Sequence, residues 1–199
     1  MVARKARDRI EGCKAGRMDH PYAGCNRTVR KNRWHGEDDV TAEIAREQAT
    51  GQEDIRTWVV ESLAEMGQVY AIREEVFVGE QGLTGNVRDD PDDRYSVHVL
   101  AAIGDTIVGT GRTFFIGDQG QIAWVAVRRP YRRQGVGWAI MQRLLDICRE
   151  QGVRVVTLNA QTHALSFYEA LGFEPVGRRF TMSHIEHQQM ILDWTVPLP

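Results

Sequence analysis

The chain has 199 residues, 42% apolar and 26% charged, enough for one well-filled core with an appendage and too few for two ordinary domains. Its net charge of −2 is uneven: residues 1–36 hold ten Lys or Arg against three Asp or Glu, a balance of +7 that leaves −9 on the remainder. No window offers the roughly 18 consecutive apolar residues of a membrane span, and no apolar run with a cleavage site follows the basic start, so neither a membrane partner nor export is expected.

Residues 1–36 show no sustained helical or strand period and few large apolar side chains, and they read as a basic, poorly ordered arm. Thr41 caps a short predicted helix to Ala49, so the expected division is an N-terminal extension over 1–50 and a single domain over 51–199. The three cysteines, Cys13, Cys25 and Cys148, are odd in number and widely spaced, which points away from a disulfide framework and toward a reducing, cytoplasmic compartment. Cys13, His20, Cys25 and His35 lack the close Cys pair of a zinc site, so no metal is expected. The arm has arginines without an aromatic platform, so a nucleic-acid partner is not expected either.

From residue 55 the pattern sharpens. Ile55–Val60 reads as a strand, and Leu63–Val78 as a helix with Val69, Ile72 and Val76 on one face. A polar loop follows, whose Asp89, Asp90, Asp92 and Asp93 read either as a solvated segment or as a lure for a cationic substrate. Ser96–Ile103 and Thr106–Phe115 form a hairpin across Gly104-Asp105, with His98 expected on the sheet surface. Gln121–Val127 is apolar at nearly every position and reads as a strand buried on both faces. Val136–Glu150 is the strongest helix, closed by Gly152, with Cys148 on its apolar side. Val153–Leu158 returns as a strand, making residues 121–158 a βαβ unit. A short helix over His163–Leu171 and strands over Glu174–Phe180 and His187–Val196 complete an α/β domain, an α+β mixed sheet with helices on it.

The chemistry concentrates where strand meets helix. Val125, Ala126 and Val127 end a buried strand and lead into Arg128, Arg129, Pro130, Tyr131, Arg132, Arg133 and Gln134, after which Gly135, Val136, Gly137 and Trp138 open the long helix. Two glycines let the backbone approach a ligand closely, and the free N–H groups of a helix start suit a diphosphate, with Arg132 and Arg133 adding charge. A P-loop would need Gly-Lys-Ser/Thr, and a dinucleotide fingerprint a third glycine where Ile140 stands.

The spacing Arg132-x-x-Gly135-x-Gly137 resembles the pyrophosphate loop of the GNAT superfamily of acetyl-CoA-dependent N-acetyltransferases. Ala164-Leu165-Ser166-Phe167-Tyr168 through Gly172-Phe173 looks like a second block of that family, and Ile107-Val108-Gly109-Thr110-Gly111-Arg112 matches its usual third strand. Arg73 to Gly82, Leu158-Asn159-Ala160-Gln161, and the tail from Ile185 to Met190 look like the ElaA-like branch.

The resemblance, over roughly residues 55–196, implies a GNAT-like acyl-CoA N-acyltransferase fold. It also implies direct transfer of an acetyl group from acetyl-CoA, as co-substrate, to a primary amine of a small molecule or peptide. Coenzyme contacts would come from Val125, Ala126 and Val127, from Arg132, Arg133, Gln134, Gly135, Val136, Gly137 and Trp138, and from Asn159, Gln161 and Tyr168. Tyr168 would be the general acid, with Glu80 or His187 as base or substrate contact. Gln161 departs from the Asn common at its position. A homodimer is compatible with the resemblance. The competing readings are a coenzyme A-binding regulatory module without turnover, and a nucleic-acid-associated protein working through its basic arm.

Overall fold

The computed structural model describes residues 54–88 and 90–195, together with the backbone of the two-residue strand β1 (Arg27–Thr28). The expected helix from Thr41, the Cys/His set of the arm, and Asp89 lie outside the described residues. The main strands are β2 (Ile55–Val59), β3 (Val97–Ile103), β4 (Thr106–Ile116), β5 (Gln119–Val127), β6 (Val155–Gln161), β7 (Glu174–Met182) and β8 (Ile185–Asp193). They form one sheet in the order β1-β2-β3-β4-β5-β6-β8-β7. Only β5 and β6 are parallel, as the βαβ reading requires, and every other neighbour is antiparallel. This is the mixed sheet expected from hairpins in the first half and a crossover in the second.

Helix α1 (Leu63–Arg73) lies on one face of the sheet, over Leu100 and Ala126, where Val69, Ile72 and Val76 are buried. Ser62 caps it: its Oγ accepts from the Glu65 N–H at 3.2 Å, and Glu65 Oε2 accepts from the Ser62 N–H at 3.0 Å. Glu65 Oε1 also accepts from the Trp58 indole at 2.8 Å, tying the helix start to β2. The helix departs from the sequence expectation at its end. Residues Glu74–Glu80 continue as a π-helix, so the α-helical part stops five residues before Val78 and the last turns are wider.

Helix α2 (Val136–Glu150) crosses the other face, burying Ile140, Met141, Leu144, Leu145, Ile147 and Cys148 against Val99, Val108, Ile122 and Val156. Its seat is made of missing side chains. A Cβ at Gly109 would lie 2.7 Å from Ile140 Cδ1 and 3.1 Å from the Ala126 carbonyl oxygen, and one at Gly111 would lie 2.9 Å from Ile140 Cγ2. Cys148 is buried with its Sγ 3.5 Å from Thr113 Oγ1, and burial pushes its thiol up to about 11, a core residue with no thiolate at neutral pH.

Three further differences have local causes. Strand β5 buries Gly120, Ile122 and Ala126 fully, while Gln121, Ala123, Trp124, Val125 and Val127 are only partly covered, because its partner β6 departs before its end. The predicted helix from His163 is a 3-10 turn over Thr162–Ala164 followed by the short helix α3 (Leu165–Glu169). The last hairpin turns on Ser183 and His184, at φ 48° and 61°, so β8 starts two residues earlier than expected and ends at Asp193. Neither turn residue is the Gly or Asn that advertises such a turn.

Candidate active site

Strands β5 and β6 pair only from Gln119↔Val155 to Ile122↔Leu158. Beyond that, β5 runs on to Val127 and β6 to Gln161 with no ladder between them, so a gap opens toward their C-terminal ends. The gap has a polar lip. The Arg128 N–H donates to the Val108 carbonyl at 2.9 Å on the β4 side. Since backbone groups alternate along a strand, the N–H of Val127 points the other way, into the gap. Side chains alternate too: Val125 and Val127 pack toward α2, and Ala126 toward α1.

The divergence coincides with a bulge. Thr110 pairs with Ala126 and Arg112 with Ala123, so β5 carries an extra residue there, and Trp124 has φ 54°. From Val127 the chain passes through a 3-10 turn at Arg129–Tyr131, then Arg133 at φ 65°, and reaches Gly135 at φ 89°, the N-cap of α2. No side chain caps this helix start, so its first N–H groups remain free for a ligand. Gly137 brings the motif blocks together: its missing Cβ would sit 3.6 Å from the Phe167 ring and 3.9 Å from Val127 Cγ2. The gap, the glycine turn and α3 therefore meet at one place.

Arg132 turns back from the loop: its Nε donates to the Val127 carbonyl at 2.8 Å, and its Nη2 is 2.8 Å from Glu80 Oε2. Arg133 and Trp138 are exposed beside the glycines, and Arg133 makes no ion pair among the described residues. Gln134 folds onto its own loop, donating from Nε2 to the Pro130 carbonyl at 2.9 Å, and Val136 is buried in the core. The Tyr168 ring lies edge-on to Phe167 and Phe173, at centroid distances of 5.0 and 6.1 Å. Burial pushes its phenol up to about 12, so it holds its proton at any physiological pH.

On the opposite lip, Asn159 is exposed and pairs with Gln189 of β8. The Gln161 amide exchanges hydrogen bonds with that of Gln81, at 2.8 and 3.3 Å, tying β6 to the end of the π-helix. The His184 ring nitrogen Nε2 meets the Gln81 carbonyl at 3.1 Å, so the β7–β8 turn joins this clasp. Glu80 is bound to Arg132 of the glycine loop. His187 is buried opposite Gln161, stacked on Phe180. Its Nδ1 donates to the Ile185 carbonyl at 2.8 Å, which leaves the lone pair on Nε2.

Sequence reasoning missed the ionic cluster beneath α1. His98, expected on the surface, is buried, and burial first, then the charges of Arg73 and Arg112, lower it to about 4. Arg73 is wholly buried and pairs with Asp93 at 2.6 Å; Arg112 pairs with Asp90 at 2.8 Å and donates to Ser96 Oγ at 2.6 Å. Asp90 and Asp93 are thus neither a solvated loop nor a free lure for a cation. The signal available was Arg73 itself, a charge set between Val69 and Val76 on the apolar stripe. Among the described residues, no three His, Cys, Asp or Glu side chains gather as metal donors, and no helix is long and apolar enough to cross a membrane.

Comparison with known proteins agrees with this geometry. The family model described as an acetyltransferase (GNAT) domain matches residues 51–194. The uncharacterized N-acetyltransferase YjcF of Bacillus subtilis is 32% identical over 130 residues, spanning 65% of this chain and 93% of that protein. Crystal structures of Escherichia coli ElaA and of an acyl-CoA N-acyltransferase from Pseudomonas aeruginosa each superpose with a TM-score of 0.62 at 26% identity, covering 70% of this chain and 98% of theirs. Acyl transfer from an acyl-CoA is the chemistry this fold carries, and the chain belongs to the GNAT family of acetyltransferases.

Proposed function

We propose that the protein transfers an acetyl group from acetyl-CoA directly to a primary amine of a small molecule or peptide. The observation that carries this reading is the gap between β5 and β6, with the Val127 N–H turned into it and the glycine-started helix at its mouth. The residues fit coenzyme A: Gly135 and Gly137 open a helix start that no side chain caps, Arg133 makes no ion pair among the described residues, and the unpaired ends of β5 and β6 lie beside them.

The coenzyme supplies an activated thioester. The chain supplies the rest. The Val127 N–H is placed to stabilise negative charge developing on the carbonyl oxygen. Tyr168, a phenol protonated at neutral pH and held so more firmly by burial, donates its proton to the departing thiolate. The amine must attack without its proton, although a lysine-like amine has a pKa of about 10.4. We assign that proton to His187 Nε2, the ring nitrogen that does not bond Ile185, whereas Glu80 must first part from Arg132 to take it.

Tyr168→Phe tests the reading against a binding module without turnover. With acetyl-CoA and a panel of amines, kcat is expected to fall about 100-fold while coenzyme A still binds by calorimetry. Binding without turnover in the wild type, or an unaltered kcat in the variant, would contradict it.

A further inference from the structure

One indole is held from three directions at the point where the gap begins. Trp124 Nε1 donates to Asp90 Oδ2 at 2.6 Å, and the same oxygen accepts from Arg112 Nη2 at 2.8 Å. The Arg73 guanidinium lies 5.0 Å from the ring centroid, and Phe77 meets the ring edge-on at 4.9 Å. Arg73 and Arg112 are held in turn by Asp93, at 2.6 and 3.4 Å. Trp124 is also the residue with φ 54° in the β5 bulge, two positions beyond the last β5–β6 pair. Positive φ is unfavourable for a residue with a large side chain and persists only where its surroundings over-determine it. Here the surroundings are the clamp.

We propose that Asp90, acting through Trp124, is a positioning residue for acyl transfer. The Asp90–Arg112–Trp124 clamp fixes the bulge, and with it the width of the β5–β6 gap and the aim of the Val127 N–H. This rests on reading that gap as the seat of the thioester. Two consequences separate it from a stabilising role. A loosened bulge misdirects the N–H without touching the diphosphate loop, so turnover falls while coenzyme binding holds. A wider gap also discriminates less against a longer acyl chain.

The experiment compares wild type, Trp124→Phe and Asp90→Asn with acetyl-CoA and propionyl-CoA, alongside calorimetric titration of coenzyme A and melting curves. Trp124→Phe keeps an aromatic ring beside Phe77 and deletes the donor; Asp90→Asn keeps an acceptor oxygen. With Trp124→Phe, kcat for acetyl-CoA is expected to fall about tenfold, the coenzyme dissociation constant to stay within about twofold, and the propionyl-to-acetyl ratio of kcat to rise several-fold. Asp90→Asn should retain most of the wild-type ratio. A folded Trp124→Phe with the wild-type kcat and ratio overturns the proposal, as does an equal loss with both donors that follows the melting temperature. Should Trp124→Phe fail to fold, Asp90→Ala against Asp90→Asn decides on the same ratio: equal ratios overturn the clamp, and a raised ratio in Asp90→Ala alone supports it. A wild type that takes up no coenzyme A overturns the parent reading and the clamp together; an active wild type with an indifferent Trp124→Phe overturns the clamp alone.

Discussion

The two faces of the sheet are held by opposite physics. Under α2 the contact is made mainly by absence: Gly109, Gly111 and Gly120 leave room for Ile140, Leu144 and Cys148. Under α1 the contact is made by partnership, with Arg73, Arg112, Asp90, Asp93 and His98 paired with one another away from water, although Arg73 Nε, Arg112 Nε and Asp93 Oδ1 make no hydrogen bond. A face built by close approach is intolerant of added volume. A face built from ions is intolerant of a missing partner. Each also borders one side of the site, since α2 begins at the glycine loop and the ionic cluster lies against the bulge where the gap opens.

That contrast predicts a ranking. Arg73→Ala removes the nearer ion partner of the buried Asp93 carboxylate, leaving Arg112 at 3.4 Å, and is expected to cost about 3–5 kcal/mol in denaturant unfolding, the largest effect of a single change. Replacing both partners, as Arg73→Met with Asp93→Leu, should recover much of that loss; an equally unstable double variant would break the partnership account.

Gly109→Ala comes next. Its Cβ would meet backbone at Ala126 as well as the Ile140 side chain, so α2 has to shift, at about 1–3 kcal/mol. Because the shift moves the mouth of α2, coenzyme A affinity measured by calorimetry should weaken with it. Folded Arg73→Ala protein should bind the coenzyme as the wild type does.

The third effect is one of pH and is spread over more than two pH units. His98, facing Arg73, Arg112 and Asp93, titrates at about 4 in the fold, lowered by burial first and then by the two arginines, and near 6.5 in the unfolded chain. Between those values the unfolded form binds more protons, so stability present above pH 6.5 is lost as pH falls toward 4. Melting curves at pH 7, 5.5 and 4 should show the decline, and His98→Gln should flatten it over that window. Asp90, held below the usual carboxylate range by the Trp124 and Arg112 contacts despite its burial, adds its own loss only at lower pH. A wild-type decline confined below pH 4 would assign the pH response to carboxylates alone.

The glycine loop before α2 was legible because its requirements are local. Two glycines at fixed spacing, a preceding arginine and a long amphipathic helix lie within one continuous stretch from Val125 to Glu150, and each states a backbone need that few other residues meet. The parallel pairing of β5 with β6 followed from the crossover between them. The short helix that carries Tyr168 was legible by its block. The fate of Gln161 was not, since its partner Gln81 lies 80 residues away and an amide at a strand end advertises no particular companion.

By itself the sequence determined the order of elements, the placement of α2 after β5, and the glycine turn at its mouth, because those follow from periodicity and from residues whose conformational demands are intrinsic. Only the tertiary structure decided that the Asp90–Asp93 segment turns inward, that His98 is buried and neutral, and that the gap begins at a clamped tryptophan. A buried ion is acceptable only where distant chain segments deliver its counterion, and that delivery is a property of the assembled sheet.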